Sequence, residues 1–422
     1  MVIGAGIFKT SANVAGLVPD ERWILALWGV GGLLALAGAL CYAELSAAFA
    51  HKGGDYWFLR QAYGRSVAFL FAWSRFAVIF TASTALLAFV LADYVGSVLP
   101  LGDAGKAAVA AGAVLLLSFL NLRGVRVGAN TQLGLVVLDI AALLLLGLAA
   151  VLTVAAGTPA VVPGIATPPG LSALGGAVVF IMLAYGGWND AATLSSELKG
   201  GPRRMVPALA GGMAMVTGLY LLANWGYLKV LGVSGLAASA APAAETAGRF
   251  FGPVGELAMV GLVSATALAV MNALIIVGGR TLYAAACDQP LLAKLAAWDE
   301  AKGVPRAAIY VQTVMALLLI GWGSLNGRGF AQMVEFLSPV FWLFLTLSAV
   351  AHIVLRVRQP DVPRPFRTPL YPLLPLLFAG SSAGILLSSL LYVGIRGVTI
   401  SFGVLSLGLL FLAVAKLSQP RP

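Results

Sequence analysis

Two short stretches hold much of this chain's capacity for chemistry, and in both the useful groups are main-chain atoms. Val2-Ile3-Gly4-Ala5-Gly6-Ile7-Phe8 opens an apolar segment, and Ala184-Tyr185-Gly186-Gly187-Trp188-Asn189 interrupts another about 180 residues later. Each glycine weakens a helix by roughly 1 kcal/mol relative to alanine. Inside lipid, a broken helix is tolerated only where protein or a water-filled cavity satisfies the freed N–H and C=O groups. A helix amino terminus offers free donors and partial positive charge, and a carboxy terminus offers free acceptors. A small zwitterion fits across such a pair. The competing reading of the first stretch is a glycine pair for close helix packing; the second stretch tips the balance toward a binding site. Tyr185 and Trp188 are candidates to gate a side-chain pocket there, with lipid or core packing as the competing role.

Ionisable residues inside apolar segments are costly and mark ion paths or paired charges. Asp139 is the most central. Lys9 lies one turn past the first break, and Asp190 directly follows the second. Glu197 and Arg280 read as members of a charge cluster at the ends of spans, and Glu44 as an ion-pair partner for loop arginines. For each of these a purely structural pairing competes with a functional role. The chain has two histidines far apart, His51 and His352, and two cysteines, Cys41 and Cys287, which read as packing residues. It lacks metal-spaced ligands, a phosphate loop and a convergent catalytic set. No catalytic residue, metal site or cofactor is expected.

The elements that must position these groups are membrane helices. Hydrophobic residues make up 60% of the chain and charged residues 10%, with a mean hydropathy of +0.96. That composition is foreign to soluble domains. The net charge of +10 does not indicate nucleic acid, because the charges alternate between short loops. About twelve runs are long enough to span a bilayer, near 1–18, 24–50, 66–99, 104–121, 131–156, 172–196, 207–231, 253–286, 306–325, 330–355, 372–395 and 399–416. With the amino terminus inside, Lys and Arg favour the inner side by roughly three to one, which puts both termini in the cytoplasm. The proline-rich linker Arg356–Arg367 cannot be helical throughout, and its arginines suit an anionic membrane face.

Spans one to five and six to ten form two sets, each opened by a glycine-interrupted helix. An odd number of spans inverts the second set relative to the first, and paired broken helices at corresponding positions point to a midplane binding site. The expected organisation is a first repeat at 1–156, a second at 157–356, and a linker with helices eleven and twelve at 357–422.

The ordered motifs resemble those of the amino acid–polyamine–organocation superfamily, near its L-type and cationic amino acid transporters. They are Gly4-Ala5-Gly6-Ile7-Phe8; Glu44 with Gly53-Gly54-Asp55-Tyr56; Tyr185-Gly186-Gly187-Trp188-Asn189; Glu197 with Gly201-Pro202-Arg203-Arg204; Gly279-Arg280-Thr281-Leu282-Tyr283; and Arg364-Pro365-Phe366 with Pro369-Leu370-Tyr371-Pro372. The resemblance implies an all-α, LeuT-like 5+5 inverted repeat with two further carboxy-terminal helices, working by alternating access in the plasma (bacterial inner) membrane. It implies an amino acid substrate, its carboxylate on the N–H groups of Gly4, Ala5 and Gly6 and its ammonium on carbonyls near Ile3, Met182, Leu183 and Ala184. Ile7, Tyr185, Gly186, Gly187 and Trp188 complete the expected site.

Two departures from that pattern stand out. Only three residues precede the first break, about 4.5 Å of helix, so the first span reads as truncated or the frame as wrongly started. Asp139 falls where L-type relatives carry a lysine that stands in for sodium. A proton suits this carboxyl better than sodium does. Helix eight offers a hard cation few oxygens, with Asn272 central and Ser264 and Thr266 further out. Neutral amino acids are the first substrate expectation, and cationic amino acids or polyamines the second. A receptor or enzyme is the remote alternative. The outer loops lack cysteine, so no disulfide-linked subunit is expected.

Overall fold

The computed structural model describes every residue except 1–3, 52, 125–128, 157–167, 191–204, 288–289, 326 and 419–422. Among the described residues the regular structure is helical, apart from an isolated bridge between Asp299 and Val304. The helices are α1 (Ile7–Leu17), α2 (Glu21–Ala48), α3 (Asp55–Tyr63), α4 (Arg65–Ser74), a π-helical segment (Arg75–Phe80), α5 (Thr81–Val98), α6 (Asp103–Leu122), α7 (Ala129–Ala155), α8 (Leu171–Ala184), α9 (Met205–Ala238), α10 (Pro242–Cys287), α11 (Arg306–Ser324), α12 (Gly329–Arg358) and α13 (Leu373–Ser418).

Among the described residues nine helical stretches are long and apolar enough to cross a membrane. The gap between nine and twelve has a physical cause. α13 holds expected spans eleven and twelve, which meet at Gly394, where φ is 69° and the helix is interrupted. The other two missing spans are α1 and α8, of 11 and 14 residues, which stop short at the glycine stretches. The protein is thus an all-α, multi-pass membrane protein.

The local chemistry explains where helices begin and bend. Asp20 caps α2, accepting hydrogen bonds from the backbone N–H of Arg22 at 2.9 Å and of Trp23 at 3.0 Å, a favoured use of Asp at a helix start. In the π-helical segment the Thr81 hydroxyl donates to the Phe76 carbonyl five residues back, at 2.7 Å, so a wider turn is satisfied without water.

The chain divides into two compact units. The first comprises 1–68, 138–259 and 342–392, and the second 69–137, 260–341 and 393–422. In the first, α2 and α8 pack together and both α1 and α2 pack on α9. Glycines set these crossings. A Cβ on Gly31 would lie 2.7 Å from Ile181, and one on Gly32 or Gly147 would overlap Thr217 or Leu222. Small residues let backbones approach, the main source of helix cohesion in lipid.

The first unit also holds a charged knot. Glu44, 2% exposed, accepts from the backbone N–H of Thr368 at 2.6 Å and pairs with His352 at 3.1 Å, Arg356 at 3.3 Å and Arg364 at 3.3 Å. The Arg356 guanidinium lies 3.8 Å from the Tyr371 ring centroid. Arg364 also donates to the carbonyls of Leu355, Gln359, Pro360 and Val362. The knot ties the end of α2 to the linker between α12 and α13.

In the second unit α5, α6 and α11 pack together, and side chains stitch α6 and α11 to α10. Asn121 donates to Asn272 at 2.7 Å, Thr313 to Ser118 at 2.7 Å, and Gln312 to the Leu274 carbonyl at 3.1 Å.

Candidate functional site

The first unit contains both interrupted stretches. At the first, the chain turns through Gly4, Ala5 and Gly6 before α1 begins at Ile7. No side chain caps this helix start. The Gly6 carbonyl accepts the first helical bonds, from Lys9 N at 3.1 Å and Thr10 N at 2.9 Å. A Cβ on Gly6 would meet no atom within 4 Å, so space opens beside that backbone.

At the second stretch α8 ends at Ala184. Tyr185 N donates to Ile181 O at 3.0 Å and Gly186 N to Leu183 O at 3.1 Å, which closes the helix. A Cβ on Gly186 would stand 3.0 Å from the Leu183 carbonyl, so glycine there keeps that acceptor approachable. Gly187 has φ of 98°, a left-handed conformation that disfavours any side chain.

The two helices that border these stretches pack on each other: α1 contacts α8 within the first unit, and Gly176 of α8 faces Leu17 at the end of α1.

The aromatic side chains of the second stretch point into protein. Tyr185 is fully buried; its hydroxyl donates to the Trp28 carbonyl at 3.0 Å. Its ring centroid lies 5.6 Å from that of Trp28 and 5.1 Å from that of Tyr220. Tyr220 in turn donates to the Ala184 carbonyl at 3.3 Å. Trp188 meets Tyr42 edge-on at 5.0 Å and Phe378 at 5.9 Å, in a slot that exists because residue 38 is glycine; a Cβ there would lie 2.6 Å from the indole. Both rings are thus packed into the protein interior. Their ring partners Trp28, Tyr42 and Tyr220 carried no sequence signal beyond being aromatics on apolar helices.

Several of the expected charges fall in the same unit. Asp139 is 1% exposed on α7 and interacts electrostatically with Tyr220. Lys9 donates to the Ala240 carbonyl at 2.8 Å. Asp190 is half-buried, one residue past Asn189. Arg280 belongs to the second unit, where it is exposed on α10. Ile3 and Glu197 lie outside the described residues. Asn272 of the second unit is engaged by Asn121. Cys41 is buried, whereas Cys287 is exposed rather than packed. Among the described residues no three His, Cys, Asp or Glu side chains gather to hold a metal.

Comparison with known proteins gives the family. The amino acid permease family profile matches residues 1–417. The chain is 26% identical to b(0,+)-type amino acid transporter 1 of Mus musculus, over 88% of this chain and 76% of that protein. It is 25% identical to the serine/threonine exchanger SteT of Bacillus subtilis, over 96% of this chain and 93% of that one. It is 27% identical to the cystine/glutamate transporter of Homo sapiens, over 90% and 75%. All three are transporters and none is an enzyme. With its interrupted helices and apolar spans, the chain belongs to the amino acid permease family of the amino acid–polyamine–organocation superfamily and is a multi-pass amino acid transporter.

Proposed function

We propose that the protein is a secondary carrier of neutral amino acids, gripping the substrate's backbone between the two interrupted helices and working by alternating access. The carboxylate sits on the N–H groups of Gly4, Ala5 and Gly6, and the ammonium on the Leu183 and Ala184 carbonyls. Ile3, Ile7 and Gly187 border it, and Tyr185, Gly186 and Trp188 shape its wall. One observation carries this reading: α1 and α8 pack on each other in the first unit, one beginning at a glycine stretch with space beside Gly6 and the other ending at a stretch where Gly187 is left-handed. Neutral substrates fit a break whose holding groups are main-chain atoms, and SteT is named for two neutral amino acids.

Asp139 is the coupling group in this reading. A proton needs no cage of oxygens, whereas a hard cation does. The two inverted five-helix repeats supply the two-sidedness. The first two spans of each set, α1 with α2 and α8 with α9, lie in the first unit, and the third and fourth lie mainly in the second. The Lys and Arg asymmetry favours a cytoplasmic-membrane protein with both termini inside.

A second reading, transport of cationic amino acids or polyamines, rests on Asp139 and Asp190 standing in the same unit as the breaks. Uptake of a labelled panel into proteoliposomes, including arginine, lysine and spermidine, separates the two. The expected result is saturable neutral amino acid uptake, stimulated by an inward-directed proton gradient. Asp139→Asn abolishes that stimulation; a variant that keeps it in full removes Asp139 from coupling. Stimulation by internal amino acid instead of the gradient identifies exchange.

A further inference from the structure

The motif Gly53-Gly54-Asp55-Tyr56 has no part in the site described above, yet the structure ties it to the second break. Gly54, with φ of 48°, turns the chain so that Asp55 begins α3. Asp55 is 6% exposed and Asn189 is 7% exposed, and the Asn189 amide donates to the Asp55 carboxylate at 3.4 Å. A second contact runs beside the first. Phe58 of α3 packs edge-on against Tyr42 at 6.2 Å, and Tyr42 packs against Trp188.

The other end of α3 is anchored as firmly. The Tyr63 hydroxyl donates to the Leu347 carbonyl of α12 at 3.0 Å. Burial raises the Tyr63 pKa and nearby Arg358 lowers it, with burial the larger effect, so the phenol stays protonated and able to donate. Arg358 donates to the Ala62 carbonyl at 3.1 Å. A nine-residue helix is too short to hold its shape alone. Its position is set by these anchors, one group at the break and one at the end of α12.

We propose that Asp55 is a positioning residue for transport, holding the segment after Gly187 through Asn189, with α3 as the strap that fixes it to α12. Asn189 enters a 3-10 turn directly after a left-handed glycine and a tryptophan held by ring packing, and so short a turn needs a tertiary contact to fix where it lies. The hydrogen bond to a buried carboxylate supplies that constraint. Asp55 touches no substrate; it acts by fixing the carbonyls of the break just before Asn189. This rests on the breaks being the substrate site, and the test below separates the two ideas.

Kinetics in proteoliposomes, with melting temperature as the check on folding, give the first arm. Asp55→Ala raises KM for the transported amino acid about tenfold and leaves the maximal rate within about twofold. Asp55→Asn, whose amide oxygen still accepts, stays within about threefold of the parent protein. Asn189→Asp sets two carboxylates face to face and raises KM by more than about tenfold. The exchanged pair Asp55→Asn with Asn189→Asp restores KM to within about threefold. An unchanged KM in Asp55→Ala, or an exchange no better than Asn189→Asp alone, overturns the proposal.

The second arm needs no substrate. In a chain with Cys41 and Cys287 replaced by alanine, Asp190→Cys is labelled with a thiol reagent in detergent. Asp55→Ala speeds labelling roughly fivefold as the segment opens, and the exchanged pair slows it again. A labelling rate indifferent to Asp55 overturns the strap, even if the parent protein carries no amino acid at all.

Discussion

The helix breaks and the Glu44 knot both place polar groups inside the first unit, and they do so in opposite ways. At the breaks the polar groups are neutral main-chain atoms, with space beside Gly6. Around Glu44 they are charges, and the carboxylate already has four partners within 3.3 Å. Charge in a membrane segment is commonly read as function. Here the most heavily charged cluster joins one element to another, whereas the place suited to a ligand carries no charge of its own. What separates the two is that one sets charge against charge whereas the other is built of neutral backbone.

The largest effect that can break this contrast is on stability. Glu44→Ala strips the carboxylate from Arg356 and Arg364 and lowers unfolding free energy by about 3–5 kcal/mol, the usual cost of orphaning buried charge. A thermal melt of the purified protein checks it. A stable variant that fails to transport instead makes the knot functional and collapses the distinction.

Gly6→Val sharpens the contrast from the other side. The added methyl groups enter open space, so the melting temperature holds while transport affinity falls by about a hundredfold or more, roughly 2.7 kcal/mol. Binding and melting measured on one sample test both halves of that statement. Retained affinity would mean the space beside Gly6 is not the substrate's.

The second unit supplies an intermediate case, because its intramembrane polar groups pair with each other. Asn121→Leu removes one hydrogen bond between α6 and α10 and costs about 0.6–1.7 kcal/mol, the range for such bonds in lipid. KM does not change. Asn121→Leu with Asn272→Leu costs less than the two single changes added, since no orphaned amide remains. A shift in KM would bring this seam into the substrate path.

Tyr185→Phe is the smallest expected effect. It removes the hydroxyl's bond to the Trp28 carbonyl and leaves the ring stacking, for about 1 kcal/mol of stability. Affinity stays within about threefold if the ring only builds the wall. A larger loss would restore Tyr185 as a gate.

Much of the architecture was legible in the chain itself. Hydropathy counted the spans, and Gly4-Ala5-Gly6 and Tyr185-Gly186-Gly187-Trp188 mark where α1 begins and α8 ends, because glycine acts on its own backbone and needs no neighbour to do so. Asp139 declared itself by being a carboxylate in an apolar run. Glu44 was expected to find arginine partners, though not which ones.

What sequence could not determine is which way side chains face and whom they meet. Tyr185 and Trp188 sit in the broken stretch, yet their rings turn away into slots formed by Gly38, Trp28, Tyr42, Tyr220 and Phe378. Asp55 meets Asn189 across 134 positions, and Glu44 meets Thr368 across 324. Local propensity acts over a few residues, so the sequence determined where the helices are and where they fail. Pairings over such distances depend on how helices pack, through glycine-sized gaps and the avoidance of unsatisfied polar groups in lipid, and only the tertiary structure decided them.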